Sequence, residues 1–136
     1  MTEHIEIHSL EEKDVEECIR LLIDAFSKNY EGTPNSILED SNAFAFTAKS
    51  KGEIVGYASL HLINKVSRKS GLIEDVAVHR EYRGKGIGKL LIETLIKTAK
   101  AQQCDKIILN SNERNIPFYE KIGFQKAEFQ MIIRNQ

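Results

Sequence analysis

The sequence predicts a mixed α/β fold built on one central, mostly antiparallel sheet. Three observations carry this. Several short runs rich in Val, Ile, Tyr and Phe alternate apolar and polar residues, as half-buried strands do. The stretch "GKLLIETLIKTAKAQQ" (residues 88–103) instead sets Leu91, Leu95 and Ala99 on one stripe with Ile92 and Ile96 beside it, the pattern of an amphipathic helix. The two kinds of segment interleave as strand, helix, several strands, helix, strand, helix, strand, which places helices against a single sheet. The chain has 136 residues, enough for one domain with a real core and too few for two, so residues 1–136 are expected to form one domain.

Each element follows from local chemistry. "HIEIH" (residues 4–8) alternates as a short strand. Ser9 and Glu12 in "SLEE" fit a capping box, and Val15, Ile19, Leu22 and Phe26 continue at helical spacing, so a helix should run to about Asn29. "YEGTPNS" (residues 30–36) reads as loop. "FAFTAKSKGEIVGYASLHL" reads as two strands, 44–49 and 53–62, joined at "SKG". "NKVSRKSG" is a basic loop, and "GLIEDVAVH" (residues 71–79) is a strand interrupted by two acids. "KIILN" reads as a short buried strand, "NIPFYEKIG" as a short helix stopped by Gly123, and "FQKAEFQMIIR" as the last strand or strands.

Composition narrows the function. A net charge of −1 argues against nucleic acid, whose binding domains are strongly basic. Cys18 and Cys104 form neither a C-x-x-C pair nor a disulfide framework, and His4, His8, His61 and His79 lack metal-like spacing, so no metal is expected. The charged, alternating N-terminus does not read as a signal peptide, and no apolar run approaches the ~20 residues of a membrane span. A soluble, reducing compartment such as the cytoplasm is the expectation.

The most informative stretch is "RGKGIG" (residues 83–88), lying between a strand and the long helix. It is not a Walker A loop, because no Gly-Lys is followed by Ser or Thr, and it misses the dinucleotide fingerprint because Lys89 stands where the third glycine belongs. Glycines here allow close backbone approach, so that several N–H groups converge on an anion at the helix N-terminus. Arg83, Lys85 and Lys89 add positive charge. Read alone, the stretch is also compatible with a glycine-rich turn carrying solvated lysines.

The R-x-x-G-x-G spacing, the preceding "VAVH" and the later "FYEKIGF" together resemble the GNAT superfamily of N-acetyltransferases. That resemblance implies a GNAT fold and acetyl-CoA as co-substrate. Arg83, Gly84, Lys85, Gly86, Ile87, Gly88 and Lys89 would grip the pyrophosphate. The backbone of Val76, Ala77 and Val78 would pair with the pantetheine arm, and Tyr119 would sit near the sulfur. From about Ile54 to Arg134 the chain is more closely similar to the eukaryotic-type glucosamine-6-phosphate N-acetyltransferases, through "IEDV", "NERN" before "FYEK", and the ending "M-x-I-R". This implies an amino-sugar phosphate acceptor, a place in UDP-GlcNAc biosynthesis, and a homodimer in which the last strands or their neighbours help complete the partner's sugar site. The chain departs from that family in three places. Leu72 replaces the histidine of "GHIEDV", the loop at residues 64–71 is shorter, and Asn110 replaces an aspartate.

Acetyl transfer to an amine needs a neutral amine, a stabilised oxyanion and a proton for the departing thiolate. By resemblance, Glu74 and Asp75 lie where the amino sugar binds, with Asp75 orienting the amine or receiving its proton through water. As neighbours in a strand their side chains should point to opposite faces, and either could instead be a solvated or ion-paired acid. A bulge near Val76 would free a backbone N–H to polarise the thioester carbonyl. Tyr119 is the implied proton donor to the thiolate, although a packed ring is the alternative. Asn110 and Asn115 are candidate donors to coenzyme A, or element caps. Arg134 is the implied phosphate ligand, with Lys65, Arg68 and Lys69 as further candidate cations. Two other readings stay open: a GNAT enzyme for a polyamine, amino acid or protein lysine, and a non-catalytic coenzyme-A-binding sensor.

Overall fold

The computed structural model describes residues 4–27 and 36–135. Five strands form one sheet in the order β1 (Ile5–Ser9), β2 (Ala43–Ser50), β3 (Glu53–Asn64), β4 (Lys69–Val78) and β5 (Lys106–Ile108). The first four pair antiparallel with their neighbours, and β5 joins β4 in parallel. The expected mixed, mostly antiparallel sheet is therefore present. β2 and β3 meet at Lys51 and Gly52, both with positive φ, as a two-residue hairpin turn matched to strand twist requires.

Helices cover both faces. α1 (Val15–Phe26) packs Cys18 and Leu21 on Ile54, Tyr57 and Ala77. α3 (Ile87–Ala101) packs Leu91, Ile92, Leu95 and Ala99, all fully buried, against Val55, Ala58, Leu60 and Ile73. Burying a Leu or Ile side chain stabilises by about 1.5–3 kcal/mol, so the α3 stripe read from the sequence contributes several such increments to the core. A short α2 (Ser36–Glu39) precedes β2, and α4 (Ile116–Ile122) follows a 3-10 turn at Glu113–Asn115.

Three expectations change. Ser9 ends β1 rather than capping a helix: a 3-10 turn at Glu12–Asp14 leads into α1, and its cap residue, Glu11, makes no side-chain cap bond. α1 stops at Phe26, where Ser27 turns left-handed with φ 53°, and Asn29 lies outside the described residues. The loop expected at residues 30–36 is also outside them, except Ser36, which opens α2. The largest change is at the C-terminus. Residues 124–135 lie in no strand, although the outer edge of β5 has no neighbour among the described strands. Phe129, Met131 and Ile133 keep the alternation of a strand yet are 95%, 92% and 98% exposed.

Candidate active site

β4 carries the decisive irregularity. Its register with β3 passes from Tyr57↔Ala77 to Ser59↔Glu74, so Asp75 and Val76 together face Ala58 alone. Asp75 takes φ 54°, a left-handed conformation uncommon for a residue with a side chain. This is a bulge at the position expected near Val76, and a bulge leaves an unpaired residue in the ladder. The left-handed residue interrupts the strand alternation on which opposite-facing Glu74 and Asp75 were expected, and both acids line one cleft.

The cleft opens where β4 and β5 part. Their parallel pairing ends at Leu72↔Ile108, while β4 runs on to Val78 and the segment after β5 turns away through Leu109–Asn112. The resulting space is about 390 Å³, within the size range of small-ligand sites. Glu74, Asp75 and Val76 form one wall; Asn110, Asn115 and Tyr119 form the other, with Phe26 of α1 also lining the space. Six residues expected to act together are thus brought together. The sequence reading missed Phe26, Ser111 and Asn112. Asn112 accepts a hydrogen bond from the Asn115 N–H at 3.0 Å through its side chain, which fixes the turn before α4. The "N-x-x-N" spacing of a cap was its available signal.

Electrostatics sort the polar groups. Burial pushes the Glu74 carboxyl up from its usual range; the neighbouring Asp75 pushes the same way, and His61 partly offsets both. Burial likewise raises the Tyr119 phenol, which favours its protonated, donating form. The Tyr119 ring is held edge-to-face by Phe118 at 5.0 Å and Phe124 at 6.0 Å.

The glycine loop continues from the same end of β4, where ligands of parallel strands collect. Gly84 and Gly86 have φ 78° and 83°, and nothing lies within 4 Å of a Cβ placed on either. Gly86 caps α3, whose first-turn N–H groups have no helical acceptor. Chain geometry and open space thus suit an anion at this helix end. Lys85 lies over the Tyr82 ring, 5.0 Å from its centroid, and Arg83 donates from Nε to the Val78 carbonyl at 3.2 Å. Phe118 Cζ is 3.6 Å from the Cβ position of Gly88, so α4 abuts the first turn of α3 and couples Tyr119 to the loop.

The candidate cations do not reach the cleft. Lys65 donates to Ser70 Oγ at 2.7 Å, Lys69 to the Gln102 carbonyl at 3.2 Å, and Arg68 faces Asp105 at 3.9 Å, all at the opposite end of β4. Arg134 is exposed and does not line the cleft. Among the described residues no Lys or Arg lines it, and no cluster of His, Cys, Asp and Glu could hold a metal. Nor is any described helix long and apolar enough to cross a membrane.

The model of the Acetyltransferase (GNAT) family matches residues 7–124. A glucosamine 6-phosphate N-acetyltransferase of Trypanosoma brucei brucei is 46% identical over 89 residues, 63% of this chain and 60% of that protein. Glucosamine 6-phosphate N-acetyltransferase 1 of Dictyostelium discoideum is 34% identical over 130 residues, 90% of this chain and 83% of its own length. The crystal structure of glucosamine-6-phosphate N-acetyltransferase from Arabidopsis thaliana superposes with a TM-score of 0.88 at 28% identity, covering 98% of this chain and 100% of that one.

Proposed function

Because the chain belongs to the GNAT acetyltransferase family, we propose that residues 1–136 act as one domain that moves an acetyl group from acetyl-CoA to the amine of glucosamine 6-phosphate. The products are N-acetylglucosamine 6-phosphate and CoA. The observation that carries this reading is the cleft at the β4 bulge, where two acids face a half-buried tyrosine across the parting of β4 and β5.

The chemistry follows from the residues. The pyrophosphate of acetyl-CoA binds the N–H groups of residues 84–89, with Arg83, Lys85 and Lys89 adding charge. The pantetheine arm runs along the backbone of Val76, Ala77 and Val78; the Ala77 side chain is buried beneath α1, so the strand offers its backbone there. Asn110 and Asn115 donate to the coenzyme from the far wall. A backbone N–H near Val76, taken out of the ladder by the bulge, polarises the thioester carbonyl. Glu74 and Asp75 hold the acceptor nitrogen, and its ammonium loses a proton through Asp75 or Glu74. The nitrogen pair then forms the C–N bond, the C–S bond breaks, and Tyr119 protonates the thiolate. The nitrogen enters the C–N bond with two protons; it gives one to the Tyr119 phenolate, restoring the phenol, and the amide keeps the other.

A sugar phosphate needs a cation, which the described cleft lacks. The same C-terminal segment that exposes Phe129, Met131 and Ile133 carries Arg134. A second copy that pairs with this segment would bury those side chains and bring a guanidinium fork to the phosphate. The reading is therefore a homodimer with Arg134 as a shared-site phosphate ligand. The two free cysteines fit a reducing compartment such as the cytoplasm, and the product fits UDP-GlcNAc biosynthesis. Arg134→Ala should raise KM for glucosamine 6-phosphate by roughly 10- to 150-fold, the loss of a charge-assisted hydrogen bond of ~1.5–3 kcal/mol. It should leave acetyl-CoA binding intact and barely change activity on unphosphorylated glucosamine. Initial rates with both sugars, with light scattering on the same samples, test this. An unchanged KM, or a monomer at micromolar concentration, contradicts the shared site.

A further inference from the structure

His61 stands two residues from Ser59 on β3, on the same face of the sheet as Glu74 of β4. The Ser59 hydroxyl is buried; it lies 3.1 Å from the Glu74 backbone carbonyl and 2.9 Å from His61 Nε2, and it also engages the Tyr57 phenol. A carbonyl can only accept, and a hydroxyl has one proton. Ser59 therefore donates to Glu74, and His61 donates from Nε2 to Ser59. That assignment leaves Nδ1 as the ring position able to take up a proton.

The surroundings single out one titratable neighbour on β4. His61 pairs with Leu72 on β4 and Ala43 on β2, both uncharged. Glu74 is diagonal to it across the β3–β4 ladder, with Asp75 next along the chain; Asp40, in the turn before β2, is engaged by the Asn42 N–H at 2.8 Å. His61 acts on the Glu74 carboxyl in the opposite sense to burial and to Asp75.

We propose that His61 is a positioning residue that receives, by way of Glu74, the proton the acceptor ammonium must lose before attack. The inference rests on the acetyl-transfer reading above. The N–H bond breaks and leaves its electron pair on the nitrogen. The proton passes to the Glu74 carboxylate, then across an intervening water to Nδ1, and from the imidazolium to solvent. One proton is released per turnover, and Glu74 is an anion again for the next acceptor. The Ser59 bond fixes the ring so that Nδ1 is the position left for this exchange.

The test is kcat/KM for glucosamine 6-phosphate in wild type and His61→Phe, from about pH 6 to about pH 9, across the titration of an imidazole. Where the amine arrives charged, the variant should be slower by about tenfold or more, within the reach of acid–base assistance. The deficit should vanish at the alkaline end, where the amine arrives neutral, and KM for acetyl-CoA should not move. A uniform deficit at every pH is what a structural role would give, and it overturns the inference; so does no deficit at all. Ring nitrogen NMR on the wild type covers a variant that fails to fold: a proton on Nε2 is expected, and an Nε2 without one refutes the assignment. A wild type silent on every amine overturns the acetyl-transfer reading and this inference with it, whereas an active wild type matched by His61→Phe overturns only the inference.

Discussion

Tyr119→Phe separates chemistry from packing with little collateral change. The ring sits between Phe118 and Phe124, at 5.0 and 6.0 Å, and phenylalanine keeps both contacts. Among the described hydrogen bonds, none engages the Tyr119 hydroxyl, so its removal leaves no described partner unsatisfied. The stability change should stay within about 0.5 kcal/mol, as for substitutions that touch no special feature. The rate should behave differently. A positioned proton donor contributes ~10²–10⁴-fold, about 2.7–5.4 kcal/mol of barrier at 1.36 kcal/mol per tenfold. Burial raises the phenol, so the group stays protonated throughout the neutral range and is present to donate. The assay is release of free CoA thiol at saturating substrates, with a single-turnover measurement to establish that chemistry limits. A fall in kcat at constant acetyl-CoA affinity is expected. A wild-type single-turnover rate in a folded variant would assign Tyr119 to packing and refute the reasoning.

Two further outcomes follow from the loop and the core. Gly86→Asp puts a side chain and a negative charge into the open cradle at φ 83°, and Gly88→Asp puts a carboxylate beside Phe118 at the first turn of α3. Both should lose most of their CoA affinity while remaining folded, and calorimetry with unchanged affinity in both would remove the phosphate-binding role of the loop. Burial pushes the Cys18 thiol and the Tyr57 phenol up to about 12 each, from 9.0 and 10.0. The neutral forms are favoured by the fold, so their contribution is fully present below pH 9.0 and is lost as pH rises toward about 12. The urea midpoint should fall over that window, and Cys18→Ala should flatten its first part; a midpoint constant up to about pH 11 would contradict this linkage.

The parts of the fold that one face of one element specifies were legible in the sequence. The Leu91–Leu95–Ala99 stripe needs only its own periodicity, and it became the buried face of α3. The β2–β3 hairpin and the Gly123 stop are local as well. Ser9 shows the limit: its capping-box spacing is satisfied on paper, but pairing of Ser9 with Phe46 holds it in β1. Strand pairing outweighed a local cap. At the site, the acids, the asparagines and Tyr119 could be named from their motifs. Their convergence could not, because it depends on a left-handed Asp75 and on β5 ending three pairs into its ladder. The cations failed for a related reason. A basic loop looks available in sequence, yet Lys65 and Lys69 are engaged at the far end of β4. Arg134 lies on a segment that joins no strand, so its sequence position does not bring it to the cleft.

The identity of the acceptor that the cleft acetylates is the central question. Initial rates with acetyl-CoA and glucosamine 6-phosphate, glucosamine, spermidine or a lysine peptide, run in parallel on the same protein, decide it. The highest kcat/KM is expected for glucosamine 6-phosphate, with glucosamine lower by the phosphate's share, and little turnover of the polyamine or the peptide. Faster acetylation of spermidine or the lysine peptide would contradict this, and would make Glu74 and Asp75 the docking carboxylates for a cationic acceptor.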